Sequence, residues 1–187
     1  MEDPVPSSTD LPQTSSRSGW LTAGELEAVR AHLPVVYIEV VPVRQDGAGR
    51  LTSVGLLLAP TPEGAIARML VSGRVLHGER VRDAILRHVA KDLGPMAMPQ
   101  LPVNPAPFTV AEYFPDPAVS GFHDPRQHAI ALAFVIPVDG DCQPSQATLD
   151  LAWVSPEEAV STAVANEMSG GRDRLVRMAL AHAGALP

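Results

Sequence analysis

Residues 70–98 read LVSGRVLHGERVRDAILRHVAKDLGPMAM, and the order of residue types in this stretch decides the fold. Gly73, Glu79, Arg87 and Gly94 stand at the spacing Gly-x5-Glu-x7-Arg-x6-Gly. The apolar residues 66–71 read as a strand, and 72–78 as a loop bracketed by Gly73 and Gly78. The spacing then predicts a helix over 79–93. Gly94 suits the left-handed position after its last turn, and Pro95 forbids continuation. Glu79 falls near the positive end of the helix dipole, two turns before Arg87. A strand, a tight loop and a helix N-terminus together can present backbone N–H groups to a phosphate.

On a wheel of 100° per residue, Val81, Ala84, Ile85, Val89 and Leu93 define one apolar sector. His88 and Asp92 fall inside it, one turn apart. Burying such groups without partners costs roughly 2–7 kcal/mol each, so the pair is either bonded to itself in a half-buried crease or turned into a functional cleft. Lys91 lies beside them, placed to offset Asp92 or to reach an anionic ligand.

Upstream, Thr22 and Glu25 form a capping box for a helix ending near His32, which Pro34 closes. Trp20 reads as an aromatic anchor for that helix. Residues 35–44, VVYIEVVPVR, are a core strand, with Pro42 suggesting an edge or a bulge near its end. A turn at 45–49 returns the chain as a second hairpin arm over 51–59.

Downstream, a proline-rich connector at 96–107 leads to strands at 108–114 and 127–138. The loop 115–126 between them carries His123, Asp124 and Arg126, with His128 just beyond. Together these could supply a general base, an orienting carboxylate and a phosphate clamp, or simply build a turn. A last strand is read at 147–154. Ser155 caps a helix that begins with Pro156, Glu157 and Glu158, and 172–183 forms a terminal helix after Gly170 and Gly171. Strands flanked by a few helices without regular βαβ alternation indicate an α/β (α+β) sandwich with a mixed sheet.

A chain of 187 residues is most simply one domain at 19–187 after an arm at 1–18, rich in Pro, Ser and Thr, that reads as disordered. The formal net charge of −7 argues against a nucleic-acid backbone as partner. No apolar run is long enough to cross a bilayer. Cys142 is the single cysteine, so no intrachain disulfide can form, and a cytoplasmic location is expected.

The spacing in 73–94 resembles the Nudix box, written Gly-x5-Glu-x7-Arg-Glu-U-x-Glu-Glu-x-Gly-U with U apolar. The resemblance extends to the preceding hairpin, to the strand at 129–138 and to Trp153-Val-Ser-Pro-Glu-Glu-Ala159. With the block 108–128, the whole chain is similar to a divergent actinobacterial-type Nudix-like family with a degenerate box. The resemblance implies a Nudix-type α/β/α sandwich in which Gly73, Glu79, Arg87 and Gly94 keep the loop-helix architecture. It also implies hydrolysis of a diphosphate bond in a small nucleotide-like substrate, with Mg or Mn held by box carboxylates, and frequently a homodimer.

The three carboxylate positions of the box are His88, Lys91 and Asp92 here. Magnesium prefers hard oxygen donors, so three alternatives follow. Glu112 or Asp124 joins Asp92 in a displaced metal site; imidazole from His88, with His123 or His128, selects a metal such as Zn; or no metal binds. The candidate catalytic residues are His88, Asp92, His123 and Asp124, and the candidate metal ligands are Asp92, His88 and Glu112. Lys91, Arg126, His128 and Arg74 are the candidate contacts to a phosphate-containing small molecule. The alternative to a hydrolase is a catalytically inactive ligand-binding or regulatory domain.

Overall fold

The computed structural model describes residues 20–60, 64–144 and 150–186. In chain order the elements are α1 (Ala23–His32), β1 (Val35–Gln45), β2 (Leu51–Pro60), β3 (Ile66–Met69), β4 (Val71–Arg74) and α2 (Val81–Leu93). They continue with β5 (Ala97–Pro99), β6 (Thr109–Tyr113), β7 (Ala129–Gly140), β8 (Asp150–Val154), α3 (Pro156–Ala159), α4 (Thr162–Asn166) and α5 (Arg172–His182). The arm at 1–18 and the first residues of the strand expected at 147–154 lie outside the described residues.

Among the described residues one mixed sheet of eight strands carries the fold, ordered β3-β2-β1-β7-β5, with β4 on β1, β6 on β7 and β8 on β2. Its spine is the parallel pairing of β1 with β7, from Val35 opposite Ala129 to Val43 opposite Pro137. Successive side chains along a strand face opposite sides, so β1 feeds two cores. Ile38 and Val40 pack with Ala84, Ile85, Val89 and Leu93 of α2 on one face. Val41 and Val43 pack with Leu175, Val176, Ala179 and Leu180 of α5 on the other. This is the expected α/β/α arrangement.

Several local readings change. The strand expected over 66–71 is two strands, because the chain leaves β2 after Met69 and joins β1 at Val71. Gly73 is therefore a strand residue rather than the start of the loop. Pro42 marks neither an edge nor the bulge, which lies between Arg44 and Gln45. It stands where β1 changes neighbours, since pairing with β4 runs to Val40 and pairing with β2 resumes at Val43. A missing N–H is tolerated at such a changeover. The proline-rich connector contains β5, which pairs with the end of β7.

The capping signals act as read. Thr22 Oγ1 accepts from Glu25 N at 3.3 Å while Glu25 Oε2 accepts from Thr22 N at 2.7 Å. Ser155 Oγ accepts from Glu158 N at 3.2 Å at the start of α3. The capped helix α1 nevertheless has no buried residue. It is tied to the sheet by Arg30 Nε, which donates to Gln127 Oε1 at 2.9 Å. Trp20 stays 49% exposed, so it does not anchor α1 in the core.

Candidate functional site

The box builds a fixed loop. Arg87 Nε and Nη2 donate to Glu79 Oε1 and Oε2, both at 2.7 Å, in a two-pronged charge-assisted pair. Glu79 Oε2 also accepts from Leu76 N at 2.9 Å, and Arg87 Nη2 donates to the Arg74 carbonyl at 2.9 Å. One ion pair thus closes the chain between β4 and α2. The Arg87 bonds hold the Glu79 carboxyl below its usual range, against the opposing effect of partial burial. The helix itself starts at Val81, two residues after Glu79, and its N-cap Arg80 makes no side-chain capping bond. Gly94 ends it at φ 91°, and a Cβ there would run into the Gln143 carbonyl.

His88 fills a slot that Gly73 leaves open. A Cβ on Gly73 would overlap the imidazole itself, so the space, not backbone freedom, demands glycine. His88 Nε2 lies 3.1 Å from the Arg74 carbonyl. A carbonyl only accepts, so Nε2 carries the proton and Nδ1 bears the lone pair. Nδ1 is buried without a partner. Burial pushes the imidazole pKa below its ordinary value, outweighing the bond to Arg74 that favours the charged form, and Arg87 and Lys91 add to the lowering.

The expected bond between His88 and Asp92 is not made. His88 turns to the Arg74 carbonyl, and Asp92 Oδ1 pairs with Lys91 Nζ at 2.7 Å. The polar residues in the apolar sector each turn to a different neighbour, and His88 Nδ1 is left without one. Gly73, Arg74, Arg87, His88 and Lys91 line a crevice of about 270 Å³ together with Trp20, Tyr37, Ser72 and Leu76.

Asp124 and Arg126 belong to a second hollow of about 200 Å³ on the α5 face of the sheet. Asp124 is an organiser of the turn into β7. It accepts from Arg126 N at 3.0 Å, from Arg126 Nε and Nη2 at 2.9 Å, and from Gln127 Nε2 at 2.9 Å. Burial opposes its ionisation, but the bonds from Arg126 and Gln127 prevail and hold its pKa at about 2. His123 Nδ1 meets the Phe114 carbonyl at 3.1 Å, and His128 stacks on the Phe114 ring with centroids 4.4 Å apart. Both histidines line neither hollow. Glu112 is exposed on β6.

The same hollow exposes a cluster that the sequence reading missed. Glu39, in the middle of β1, is 1% exposed; its Oε1 accepts from Ser72 Oγ at 3.1 Å and from Arg172 Nη2 at 2.9 Å. Its Oε2 and the Tyr113 hydroxyl are buried without partners. Burial pushes the Glu39 carboxyl upward, while Arg172 pulls it back. A lone carboxylate inside the apolar run 35–43 was the available signal, because a buried charge requires a partner. Tyr37 and Ser72 line both this hollow and the box crevice, so the two adjoin at β4.

The model of a family described as Domain of unknown function (DUF4916) matches residues 16–185. The chain belongs to this family. The chain is similar to solved structures, one of which, a possible asymmetric diadenosine tetraphosphate (Ap4A) hydrolase from Jonesia denitrificans, is 56% identical to it. The alignment covers 83% of this chain and 98% of that one, with a TM-score of 0.81. A NUDIX hydrolase from Nitrosomonas europaea, at 18% identity and TM-score 0.58 over 82% of this chain and 91% of that one, shares the fold. So does an Ap4A hydrolase from C. elegans, at 17% identity and TM-score 0.54 over 79% and 96%. No curated protein matches the chain. The DUF4916 chain thus has the fold of the Nudix hydrolases.

A divalent cation is what the Nudix fold implies, and the donor set at the box positions here does not fit one. At the first box position stands an imidazole with Nε2 spent on a carbonyl and Nδ1 buried. At the second stands an ammonium, which repels a cation. At the third, Asp92 is already paired with that ammonium. Among the described residues no three His, Cys, Asp or Glu side chains gather as a metal cage. Asp92, His88 and Glu112 are therefore not brought together as the sequence reading envisaged.

Proposed function

We propose that this DUF4916 protein is a divergent Nudix hydrolase acting on a diphosphate bond of a small nucleotide-like substrate, with the diphosphate seated in the box crevice. The observation that carries the reading is the composition of that crevice. Arg74 and Lys91 line it, and Arg87 backs it, within a chain whose formal net charge is −7. Guanidinium and ammonium groups in a partly desolvated cleft stabilise phosphate oxygens, and stabilise them more as charge grows in a transition state. The 56% identity to a possible Ap4A hydrolase supports the same substrate class. The adjoining polar hollow, walled by Glu39, Tyr113 and Asp124, offers hydrogen-bond acceptors to a sugar or base.

In hydrolysis of such a bond, water adds to phosphorus as the bridging oxygen departs, and the proton of the water must be taken up. Nδ1 of His88, which bears the lone pair in the tautomer that the Arg74 carbonyl enforces, is buried in its slot, so in this reading the proton passes to solvent or to a phosphate oxygen of the substrate. Lys91 and Arg74 neutralise the departing phosphate.

A second reading, ligand recognition without hydrolysis, is favoured by two specific facts. Nδ1 of His88 is closed to solvent, and Lys91 with Asp92 occupies the carboxylate positions as a neutral pair. One experiment separates them: thermal shift across Mg, Mn, Zn and EDTA, alongside phosphorus NMR of a panel of nucleoside diphosphate derivatives. Turnover with two phosphate-bearing products supports the hydrolase. Stabilisation by nucleotides with no turnover under any metal condition supports the binding domain, and no stabilisation at all refutes both.

A further inference from the structure

Of the six buried side-chain polar atoms without a partner among the described residues, three belong to residues lining one space. They are Glu39 Oε2, the Tyr113 hydroxyl and Arg172 Nε, and the space is the polar hollow on the α5 face. We propose that this hollow takes the vicinal diol of a sugar, and that Glu39 makes the site choose ribose over deoxyribose; this rests on the reading of the adjoining crevice as a diphosphate site.

The carboxylate comes first. Arg172 Nη2 and Ser72 Oγ both bond to Glu39 Oε1, which orients the group and leaves Oε2 over. Asp124, the other carboxylate of the hollow, spends both its oxygens on Arg126 and Gln127. Glu39 is therefore the acceptor still open. Buried polar atoms are rarely left unpaired in folded proteins. An ionised carboxylate, the form that Arg172 favours, only accepts, so whatever completes Glu39 must bring a donor.

Tyr113 sets the number of groups to be met. Burial, and then the Glu39 carboxyl, push the Tyr113 pKa upward, so the two side chains lie within reach of each other. A vicinal diol presents two adjacent hydroxyls. One donates to Glu39 Oε2 and the other meets the Tyr113 hydroxyl, which can donate or accept.

Size and surface choose a sugar over a base. Sites for drug-sized ligands run from roughly 300 to 1,000 Å³, and this hollow, at about 200 Å³, is smaller. Bases are held largely by stacking on aromatic faces. The Tyr113 ring is already flanked, with the Arg172 guanidinium 5.3 Å from its centroid and the Phe122 ring 5.4 Å away. It offers its hydroxyl rather than a face. Tyr37 and Ser72 line both this hollow and the crevice, so a sugar bonded directly to a phosphate in the crevice falls here.

The test is calorimetry on the full chain with ADP, 2′-deoxy-ADP and 3′-deoxy-ADP, in EDTA and again with Mg. A site built to bond a hydroxyl rejects analogues that lack it, so ADP is expected to bind roughly tenfold or more tightly than either deoxy probe. Glu39→Gln is expected to shrink that ratio to below about threefold for one hydroxyl, and Tyr113→Phe for the other. Tyr113→Phe removes only an oxygen that has no partner, so it keeps the test open where Glu39→Gln unfolds in urea too readily to titrate. Equal affinities for all three probes in the unmodified protein overturn the inference and leave the crevice reading intact; the hollow then holds water. Ratios unchanged in the variants that fold, whether or not all affinities drop together, assign Glu39 and Tyr113 to the fold alone and also overturn it. Binding of no probe under either condition overturns the crevice reading and this inference with it.

Discussion

Gly73→Ala tests whether the box slot is shaped for an imidazole. Gly73 has no positive φ, so alanine adds no backbone strain at this position. Its Cβ would instead overlap Cε1, Nε2 and Nδ1 of His88. The ring would have to leave the slot, losing the bond to the Arg74 carbonyl, a loss of about 0.5–1.5 kcal/mol. Forcing an added carbon into a packed site costs a further 1–3 kcal/mol or so. The expected destabilisation is about 2–4 kcal/mol, read from urea unfolding at neutral pH. The decisive comparison is the same substitution in a His88→Ala background. There the obstacle is gone, and Gly73→Ala should cost less than about 1 kcal/mol, giving a coupling of roughly 1–3 kcal/mol between the two positions. An equal cost in both backgrounds would refute the account, because the penalty would then arise from something other than the ring.

Three further outcomes follow from the same geometry. Asp124 is held from its ordinary 3.8 down to about 2, so its ionised form contributes about 2 kcal/mol above pH 4, lost as pH falls through 2. Asp124→Asn should therefore lower stability by about 2 kcal/mol at pH 7, with a gap that narrows below pH 4; a constant gap in urea titrations across pH would contradict this. His88 is held below its ordinary pKa of 6.5, so the unfolded chain takes up that proton first. Stability should be complete above about pH 6.5 and decline as pH drops toward the folded value, and His88→Gln should remove that part of the slope. Glu79→Gln weakens the charge-assisted fork to Arg87 and should cost about 1.5–3 kcal/mol. Amide exchange at Leu76, whose N–H donates to Glu79, should quicken; unchanged protection there would count against the loop lock.

The frame of the fold was legible because glycine, proline and paired charges act locally. The spacing of Gly73, Glu79, Arg87 and Gly94 placed the loop and the helix, and Thr22 and Ser155 placed caps that form as read. What a residue meets across the sheet was not legible. The parallel pairing of β1 with β7 joins segments more than 90 positions apart, and nothing in either strand names its partner. The same limit explains His88: the wheel put it beside Asp92, but the Arg74 carbonyl arrives from β4 and claims the ring. Glu39 was hidden among β-branched neighbours, and its partner Arg172 comes from the last helix. His123 and His128 looked like chemistry in a polar loop, yet a carbonyl and an aromatic ring take them up.

The central claim is that the retained box frame holds a diphosphate by fixed cations where the superfamily pattern has carboxylates. Calorimetric titration of adenosine tetraphosphate in EDTA, against unmodified protein and Lys91→Met, tests it most directly. Lys91 is 54% exposed but its partner Asp92 only 11%, so the variant leaves a nearly buried carboxylate unpaired, and urea unfolding confirms that it is folded before titration. The account predicts measurable binding in EDTA and a loss of about tenfold or more in Lys91→Met. Binding that appears only when Mg or Mn is added, with Lys91→Met binding as well as or better than the parent, would contradict it.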